Sequence, residues 1–324
     1  MAARLFYDKD CPLDCLKGKT IVFIGYGNQG RAQALNLRDT FKSEQLEPTP
    51  KIVIANIKDS YSSKAEQDGF GFTSDWKAAA AEADVLFLLV PDQVQPQLFN
   101  ELIAPTLQKT ACIVVASGYN VFYKHLNMAK SNDVVMVAPR MIGTSVRTRY
   151  ESGEGFPCFV SVEQDGTGKA WEVGLALSRG IGATKGGALW PTIIATFNEA
   201  YSTLKGLGCS DEALVHEMWM SKESAEIFEK AAEDGFVKQL VHHSSVSQYG
   251  QLKGSLEVDT TAIKKEFKRI AEERVLNGAF AKEFMSLDRD GPGVERTLEE
   301  LYAKAKNSEL ARGEARVRER LGLK

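Results

Sequence analysis

Three glycines near the start of the chain have the spacing of a phosphate-binding turn. Gly25, Gly27 and Gly30 form a G-x-G-x-x-G pattern between an apolar run at 20–24 and an expected helix over 28–42. In such a turn the first glycine makes the bend, the second lets the backbone approach a pyrophosphate, and the third lets helix and strand pack closely. The helix N-terminus then offers free N–H groups to the phosphate. The pattern predicts a dinucleotide-binding site.

The residues after the second apolar run distinguish between two dinucleotides. An acid at this strand end would bind the ribose 2′-hydroxyl of NAD, but the run ends in Asn56, and Lys58, Ser60 and Ser62 follow. A cation and hydroxyl donors suit a 2′-phosphate, and the nearby acid Asp59 lies past the strand end. We therefore predict NADPH as the cofactor. The other predicted cofactor-binding residues lie in the glycine turn and after the third long strand: Tyr26, Asn28, Gln29, Val90, Pro91 and Asp92.

Apolar runs that alternate with helical segments organise the first half of the chain. They predict six strands, at 20–24, 51–56, 84–90, 111–117, 134–139 and 156–163. Such alternation favours a parallel sheet covered on both faces. Later segments show charged faces and no strand runs, and they predict helices at 189–206, 210–234, 260–276 and 293–320. The prediction is an α/β protein, with a Rossmann-type parallel-sheet domain over 1–183 and an all-helical C-terminal domain over 184–324.

The composition excludes several classes of partner. The 324 residues carry a net charge of −3 without a basic stripe, so a nucleic-acid-binding surface is not expected. The longest apolar run, at 85–91, is far too short to cross a bilayer. The start of the sequence has no apolar signal core, and five scattered cysteines are typical of reduced thiols. We expect a cytoplasmic protein that acts on a small molecule, with no membrane partner.

Longer stretches of the sequence resemble the ketol-acid reductoisomerase family. They cover most of the chain in the family's order and include "LKGKTIVFIGYGNQGRAQALNLRDT", "ADVLFLLVPDQVQ", "VRTRYESGEGFPCFVSVEQDGTGKA" and "SSVSQYG". The resemblance implies an NADPH-binding first domain and a homodimer that interlocks through the helical domain. It also implies a two-step reaction. An alkyl group migrates in an acetohydroxy acid with help from two magnesium ions, and NADPH then reduces the resulting ketone.

The sequence departs from the family pattern where the family binds magnesium. The acidic pair of the family's metal-binding helix has no counterpart, because a stretch is absent between "GIGATKGGALW" and "PTIIATF". Of two glutamates on a later family helix, one matches Glu217 and the other falls on Ser221. Ser117 and Arg140 replace a family histidine and lysine, whereas Ser244 matches a serine that holds substrate. One carboxylate cannot hold two magnesium ions, so we predict no metal ligand.

Reduction needs a positioned acceptor carbon and a proton donor, and several side chains are candidates for these roles. Arg140 follows a strand and could clamp a substrate carboxylate. Tyr119 could donate a proton or pack as an ordinary aromatic, and His216 titrates near neutral pH but could be structural. The candidate catalytic residues are Tyr119, Arg140, Glu217, Asn198, His216 and Ser117, with Ser244 as a candidate substrate contact supplied by a neighbouring subunit.

Three functions are consistent with the sequence. The favoured one is an NADPH-dependent, metal-independent reductase of a small carboxylate-bearing ketone or imine in a specialised pathway. The second is a genuine ketol-acid reductoisomerase whose metal site is rebuilt from Asp211, Glu212 and Glu217. The third is a non-catalytic NADP-binding regulatory protein. Loss of the metal-binding acids removes the Lewis acid of the alkyl migration and favours the first.

Overall fold

The computed structural model describes residue 6 and residues 8–183, 193–289 and 291–323. In the helix that begins at residue 193, side chains are described from residue 197 onward. The chain divides into two compact units, Met1–Ala188 and Leu189–Lys324. The domain boundary predicted between residues 183 and 184 borders the stretch 184–192, which lies outside the described residues. The predicted helix start at residue 189 lies in that stretch.

A seven-stranded sheet forms the first unit, in the order β3-β2-β1-β4-β5-β6-β7. The strands are β1 Thr20–Ile24, β2 Lys51–Ala55, β3 Gly71–Thr73, β4 Val85–Leu88, β5 Cys112–Val115, β6 Asp133–Pro139 and β7 Cys158–Asp165. Strands β1 to β6 pair in parallel. The connections carry helices α1 Asn28–Ser43, α2 Ser60–Gln67, α3 Trp76–Glu82, α4 Gln95–Leu98, α5 Tyr119–Phe122, α6 Gly143–Glu151 and α7 Ala170–Gly180. The predicted α/β architecture is confirmed.

Two strands differ from the prediction of six parallel strands. The short strand β3 was not predicted. It has only three residues, begins at a glycine and pairs at the edge of the sheet. Strand β7 pairs antiparallel with β6. Its residues alternate between half-buried and exposed, as in an edge strand with one solvated face. An apolar run does not reveal the direction of its strand, so this pairing could not be predicted from composition.

Apolar side chains cover both faces of the central strands. In β1 and β4 the aromatic rings of Phe23 and Phe87 stack at 4.4 Å on one face. Val22 and Leu86 point to the other face and belong to a second cluster of buried residues. Because both faces of these strands are covered, the polar chemistry of the unit is confined to the loops at the ends of the strands.

A buried polar network fixes helix α1 against α6. The side-chain amide of Asn36 donates to the carbonyls of Val146 (3.2 Å) and Ile181 (2.9 Å). Arg147 on α6 donates to the Asn36 Oδ1 atom at 2.9 Å and to the carboxylate of Asp39 at 2.7 Å. These contacts leave the Asn36 amide fully satisfied and hold α1, which begins at the glycine turn, in one orientation.

The second unit is helical throughout its described residues. Its helices are α8 Ile193–Gly206, α9 Asp211–Val215, α10 Glu223–Asp234, α11 Ser245–Glu257, α12 Thr261–Ile270, α13 Ala279–Arg289, α14 Val294–Ala305 and α15 Glu309–Arg320. The helix predicted over 210–234 is broken at Lys222, which has a φ of 66°. The helix predicted over 293–320 is broken before Ser308, whose side chain caps α15. No described helix is both long and apolar enough to span a membrane.

Candidate active site

The glycine turn after β1 leaves space at one of its three glycines. A Cβ atom on Gly30 would lie 2.2 Å from the carbonyl oxygen of Gly25, and one on Gly25, whose φ is +100°, would lie 2.9 Å from the Val90 nitrogen. A Cβ on Gly27 would meet no atom within 4 Å. Gly27 is the N-cap of α1 and has no side chain to cover the first N–H groups of that helix. The open position is where a pyrophosphate would bind.

Two side chains predicted to bind the cofactor instead support the turn. The Tyr26 ring is fully buried, and its hydroxyl donates to Asp68 at 2.9 Å. Only the Tyr26 backbone therefore remains for a ligand. The Gln29 amide donates to the Met141 carbonyl at 2.8 Å, so this side chain joins the turn to the loop after β6. Asn28, at the first position of α1, is exposed.

The end of β2 contains both engaged and exposed polar groups. The buried Asn56 accepts the Tyr26 N–H at 3.4 Å and donates to the Asp59 carboxylate at 3.0 Å. Asp59 caps α2, and the Ser62 hydroxyl completes that capping box at 3.1 Å from the Asp59 nitrogen. The predicted binding roles of Asn56 and Ser62 therefore compete with these local hydrogen bonds.

The exposed members of the same segment are better placed for a ligand. Lys58 and Ser60 are both exposed, between the end of β2 and the first turn of α2. The Asp59 carboxylate accepts hydrogen bonds from the N–H groups of Tyr61 and Ser62. Its role is therefore to cap α2. An ammonium and a hydroxyl remain as the groups that can meet a ribose phosphate.

The loops after β4 and β5 bring five predicted residues to one edge of the sheet: Val90, Pro91, Asp92, Ser117 and Tyr119. Ser117 accepts the backbone N–H of Tyr119 at 3.3 Å. Burial raises the pKa of the Asp92 carboxyl, and burial followed by the charge of Asp92 raises the pKa of the Tyr119 phenol. The Tyr119 phenol therefore carries its proton at neutral pH, and the raised pKa makes it a weaker acid than a free phenol.

The residue that joins these loops, Asn120, is not among those predicted from the sequence. The side chain of Asn120, which is 1% exposed, donates to the Asp92 carbonyl at 2.8 Å and to the Gln95 Oε1 atom at 2.9 Å. The sequence signal for this junction is weak: two amide side chains, Gln95 and Asn120, each follow a buried strand. Their hydrogen bonds depend on the pairing of β4 with β5, which a single segment does not reveal.

Arg140 follows the last residue of β6 at the same edge. Its guanidinium lies 5.1 Å from the centre of the Phe159 ring on β7, and its Nε atom donates to the Pro139 carbonyl at 3.4 Å. The side chain is half-buried. An arginine stacked on a ring keeps the planar fork of donors that binds a carboxylate.

Of the predicted residues of the second unit, Asn198 lies on α8, His216 and Glu217 directly follow α9, and Ser244 directly precedes α11. His216 and Glu217 are exposed, and the His216 Nδ1 atom lies 3.0 Å from the Glu212 carbonyl oxygen. Ser244 caps α11 by accepting the Ser247 N–H at 3.3 Å. The Asn198 Oδ1 atom is buried and has no hydrogen-bond partner among the described residues.

The carboxylate of Asp211 is fully engaged inside the second unit. It accepts hydrogen bonds from the Tyr201 hydroxyl (2.5 Å), the Lys205 ammonium (2.5 Å) and the Arg316 guanidinium (2.6 Å). Burial acts to raise the pKa of Asp211, but the hydrogen bonds from Lys205, Tyr201 and Arg316 lower it well below its usual range. Glu212 pairs with Arg320. These two acids are ion-pair partners of α8 and α15.

The described residues show no cluster of side chains for the pair of magnesium ions that the family resemblance implies. Within the described residues, no three His, Cys, Asp or Glu side chains converge as metal ligands. From residue 180 to residue 209, which includes the stretch outside the described residues, the sequence contains one acid, Glu199. Two hard cations need several oxygen ligands, so the absence of metal ligands stays a prediction based on the small number of acids in this part of the sequence.

The fold and the glycine turn together define a class of protein, the dinucleotide-dependent oxidoreductases with a Rossmann-type domain. Residues 15–187 match the family model "Acetohydroxy acid isomeroreductase, NADPH-binding domain", and residues 186–322 match "Ketol-acid reductoisomerase, C-terminal domain". The chain belongs to the ketol-acid reductoisomerase family, and it is an NADP-dependent oxidoreductase with NADPH as its cofactor.

Individual relatives match over nearly the whole chain. "Ketol-acid reductoisomerase (NADP(+))" of Pyrobaculum calidifontis is 34% identical, covering 98% of this chain and 99% of that protein. The protein of the same name from Pyrococcus abyssi is 33% identical, covering 99% and 98%. A solved structure titled as an NADH-preferring ketol-acid reductoisomerase from an uncultured archaeon superposes with a TM-score of 0.84 at 27% identity, covering 98% and 99%.

The space at Gly27 predicts that a substitution there weakens NADPH binding without lowering the stability of the protein. Gly27→Ala should raise the Kd for NADPH by about tenfold or more, because its methyl group occupies the open position, while the melting temperature stays nearly unchanged. Gly30→Ala should instead cost about 1–3 kcal/mol of stability, because its Cβ collides with the Gly25 carbonyl. Fluorescence titration with NADPH and thermal unfolding measure the two effects. Equal loss of stability in both variants would contradict this assignment.

The exposure of Lys58 predicts its role in selecting the cofactor. Lys58→Ala should raise the Kd for NADPH by about tenfold and leave the Kd for NADH unchanged, since only NADPH carries the 2′-phosphate. Lys64→Ala is the matched control, because this exposed lysine lies over the Tyr61 ring of α2 at 4.8 Å. Titration of each variant with both cofactors tests the role, and an equal effect on NADPH and NADH would exclude it.

Proposed function

We propose that the protein reduces a small ketone or imine that bears a carboxylate, with NADPH and without a metal-dependent alkyl migration. The observation that carries the proposal is the state of Asp211, whose carboxylate is neutralised by Lys205 and Arg316. A second candidate ligand, Glu212, pairs with Arg320. Two of the three acids that could rebuild a magnesium site, Asp211 and Glu212, are therefore already occupied, which supports a specialised pathway over valine and isoleucine supply.

The residues at the edge of the sheet supply what reduction requires. NADPH, when bound, supplies the hydride that adds to the acceptor carbon. The start of α1 holds the pyrophosphate, and Lys58 and Ser60 contact the 2′-phosphate. Arg140 clamps the substrate carboxylate, and the Tyr119 hydroxyl donates the proton that the reduced oxygen or nitrogen takes up. An imine that takes up this proton becomes an iminium, which is activated for hydride attack and needs no Lewis acid.

A genuine ketol-acid reductoisomerase is the second candidate function. It is supported by the relatives of that name, which are 34% and 33% identical over at least 98% of this chain. Under this alternative, Glu217 and Glu199 would have to hold magnesium with ligands from elsewhere. The two candidates differ in their substrate and in their need for a metal, so one assay separates them.

The assay follows NADPH oxidation with acetolactate, with 2-keto acids and with cyclic imines, each with and without EDTA. We expect turnover of a keto acid or an imine that EDTA does not change, because no step uses a divalent ion. Turnover of acetolactate that requires magnesium and is abolished by EDTA would overturn the proposal and favour the second candidate.

Two variants identify the residues that act in this assay. Arg140→Lys keeps the charge but loses the planar fork, so its KM for the substrate should rise while the Kd for NADPH stays constant. Arg149→Lys is the control, since that arginine pairs with Glu154. If Arg140→Lys and Arg149→Lys behave alike, Arg140 does not bind the substrate.

We propose further that two copies of the chain form a homodimer through the helical unit. Helices α10, α11 and α12 have no buried residues among those described, although they carry apolar side chains. The most exposed apolar residues of this unit include Phe236, Val246, Leu256, Leu276 and Tyr302. Such a surface is typical of an interface between subunits. Light scattering should give about twice the 35.6 kDa of one chain, and a monomer at micromolar concentration would exclude the dimer.

A further inference from the structure

Both polar atoms of the Asn120 side chain are hydrogen-bonded. Its Nδ2 atom donates to the Asp92 carbonyl and to the Gln95 Oε1 atom, at 2.8 and 2.9 Å. Its Oδ1 atom lies 3.0 Å from His125 Nδ1. Asn120 is 1% exposed and lies one residue after Tyr119, at the start of α5. One buried amide thus joins the loop after β4 to the loop after β5.

The partners of Asn120 determine which atom donates in each bond. The Asp92 carbonyl can only accept, so the amide nitrogen of Asn120 must face it and the amide oxygen must face His125. His125 therefore carries a proton on Nδ1 and donates a hydrogen bond to the Asn120 Oδ1 atom. Gln95, which is 6% exposed, uses its own amide nitrogen to donate to the Val90 carbonyl at 2.8 Å. Two buried amides in series hold the segment from Val90 to Asp92.

The sheet order places this network on the side of β1 opposite β2. The 2′-phosphate group assigned to Lys58 lies at the end of β2, and the pyrophosphate position lies at the β1–α1 turn. A dinucleotide bound along the carboxyl edge therefore extends its other half over the ends of β4 and β5. The Tyr119 ring packs against His125 with the ring centres 5.9 Å apart, so the same network supports the proposed proton donor.

We propose that Asn120 is a positioning residue for the nicotinamide half of NADPH and for Tyr119. It holds the loops after β4 and β5 at a fixed separation, with Gln95 and His125 as its partners. Its role in catalysis rests on the proposed reductase function. Its role in cofactor binding does not, because that role concerns the bound NADPH and can be measured without a substrate.

The experiment compares Asn120→Ala with Asn132→Ala. Asn132 is also a buried amide, 3% exposed, and it donates to the Gln108 and Ala111 carbonyls at 2.9 and 3.2 Å. It lies at the amino end of β6, directly before Asp133, away from the cofactor edge. The two substitutions therefore remove similar hydrogen bonds from opposite edges of one sheet, and both should lower the melting temperature.

Two ligands distinguish positioning from a general loss of stability. NADPH contains the nicotinamide, whereas 2′-phospho-ADP-ribose contains the rest of the molecule and lacks it. In Asn120→Ala the Kd for NADPH should rise about tenfold while the Kd for 2′-phospho-ADP-ribose stays unchanged. Asn132→Ala should change neither. An equal rise for both ligands in Asn120→Ala, or an unchanged Kd for NADPH, would overturn the proposal.

A second pair of variants decides the matter if Asn120→Ala fails to fold. His125 is half-buried at the outer side of the network, so it tolerates substitution better than Asn120. His125→Leu removes the donor to Asn120 and should weaken NADPH binding about threefold, whereas His125→Gln offers an amide N–H and should restore it. Identical NADPH affinities in the two variants would exclude the role of the network.

The binding data and the turnover data can fail separately. If NADPH binding changes as expected and no keto acid or imine is reduced, the reductase function fails and the positioning of the cofactor stands. If a substrate is found, Asn120→Ala should also lower kcat at saturating NADPH, and [4-²H]NADPH should show a larger isotope effect than with Asn132→Ala. An unchanged kcat and isotope effect would remove the catalytic part of the proposal.

Discussion

The backbone at Gly30 passes so close to the carbonyl of Gly25 that no Cβ atom fits between them. This contact sets the distance between β1 and the start of α1, and the other elements of the cofactor edge are arranged around it. Asn56 at the end of β2 accepts the backbone N–H of Tyr26 inside the same turn. Val90, after β4, occupies the space beside Gly25. In this turn, Gly25 and Gly30 are required for packing, because neither has room for a Cβ atom. Gly27 has room for a Cβ atom, so its glycine is explained by the proposed ligand.

An ion-pair network occupies an acidic side chain in the second unit. Lys205 and Arg316, with the Tyr201 hydroxyl, satisfy the Asp211 carboxylate within an ion-pair network that joins α8, α9 and α15. A carboxylate already held by two cations gains little from a divalent ion and would have to lose those partners to bind one. The proposed loss of the metal-dependent step rests on this engagement of Asp211 and is compatible with the family fold of the helical unit. Hydride transfer depends on the cofactor edge of the first unit, which keeps its glycine turn.

The loops after β4 and β5 are held together by the neutral amide side chains of Asn120 and Gln95. A buried Asn or Gln can satisfy carbonyls on two loops at once, and each unsatisfied partner would carry a desolvation cost of about 1–3 kcal/mol. The Asn120 network meets this requirement, because both polar atoms of its amide are hydrogen-bonded. The Tyr119 hydroxyl and the Arg140 guanidinium are the polar groups proposed to meet the substrate.

The sequence alone determined the features that reside in short segments: the glycine turn, six of the seven strands, the change from strands to helices and the membership of a family. Each of these is written in the local pattern of apolar, glycine and polar residues. The direction of β7, the engagement of Asn56 and Ser62, and the junction made by Asn120 were decided by the tertiary structure. The partners of Asp211 include Arg316, more than a hundred residues away along the chain. Whether a side chain is free for chemistry depends on its neighbours in space, and a pattern along the chain does not contain them.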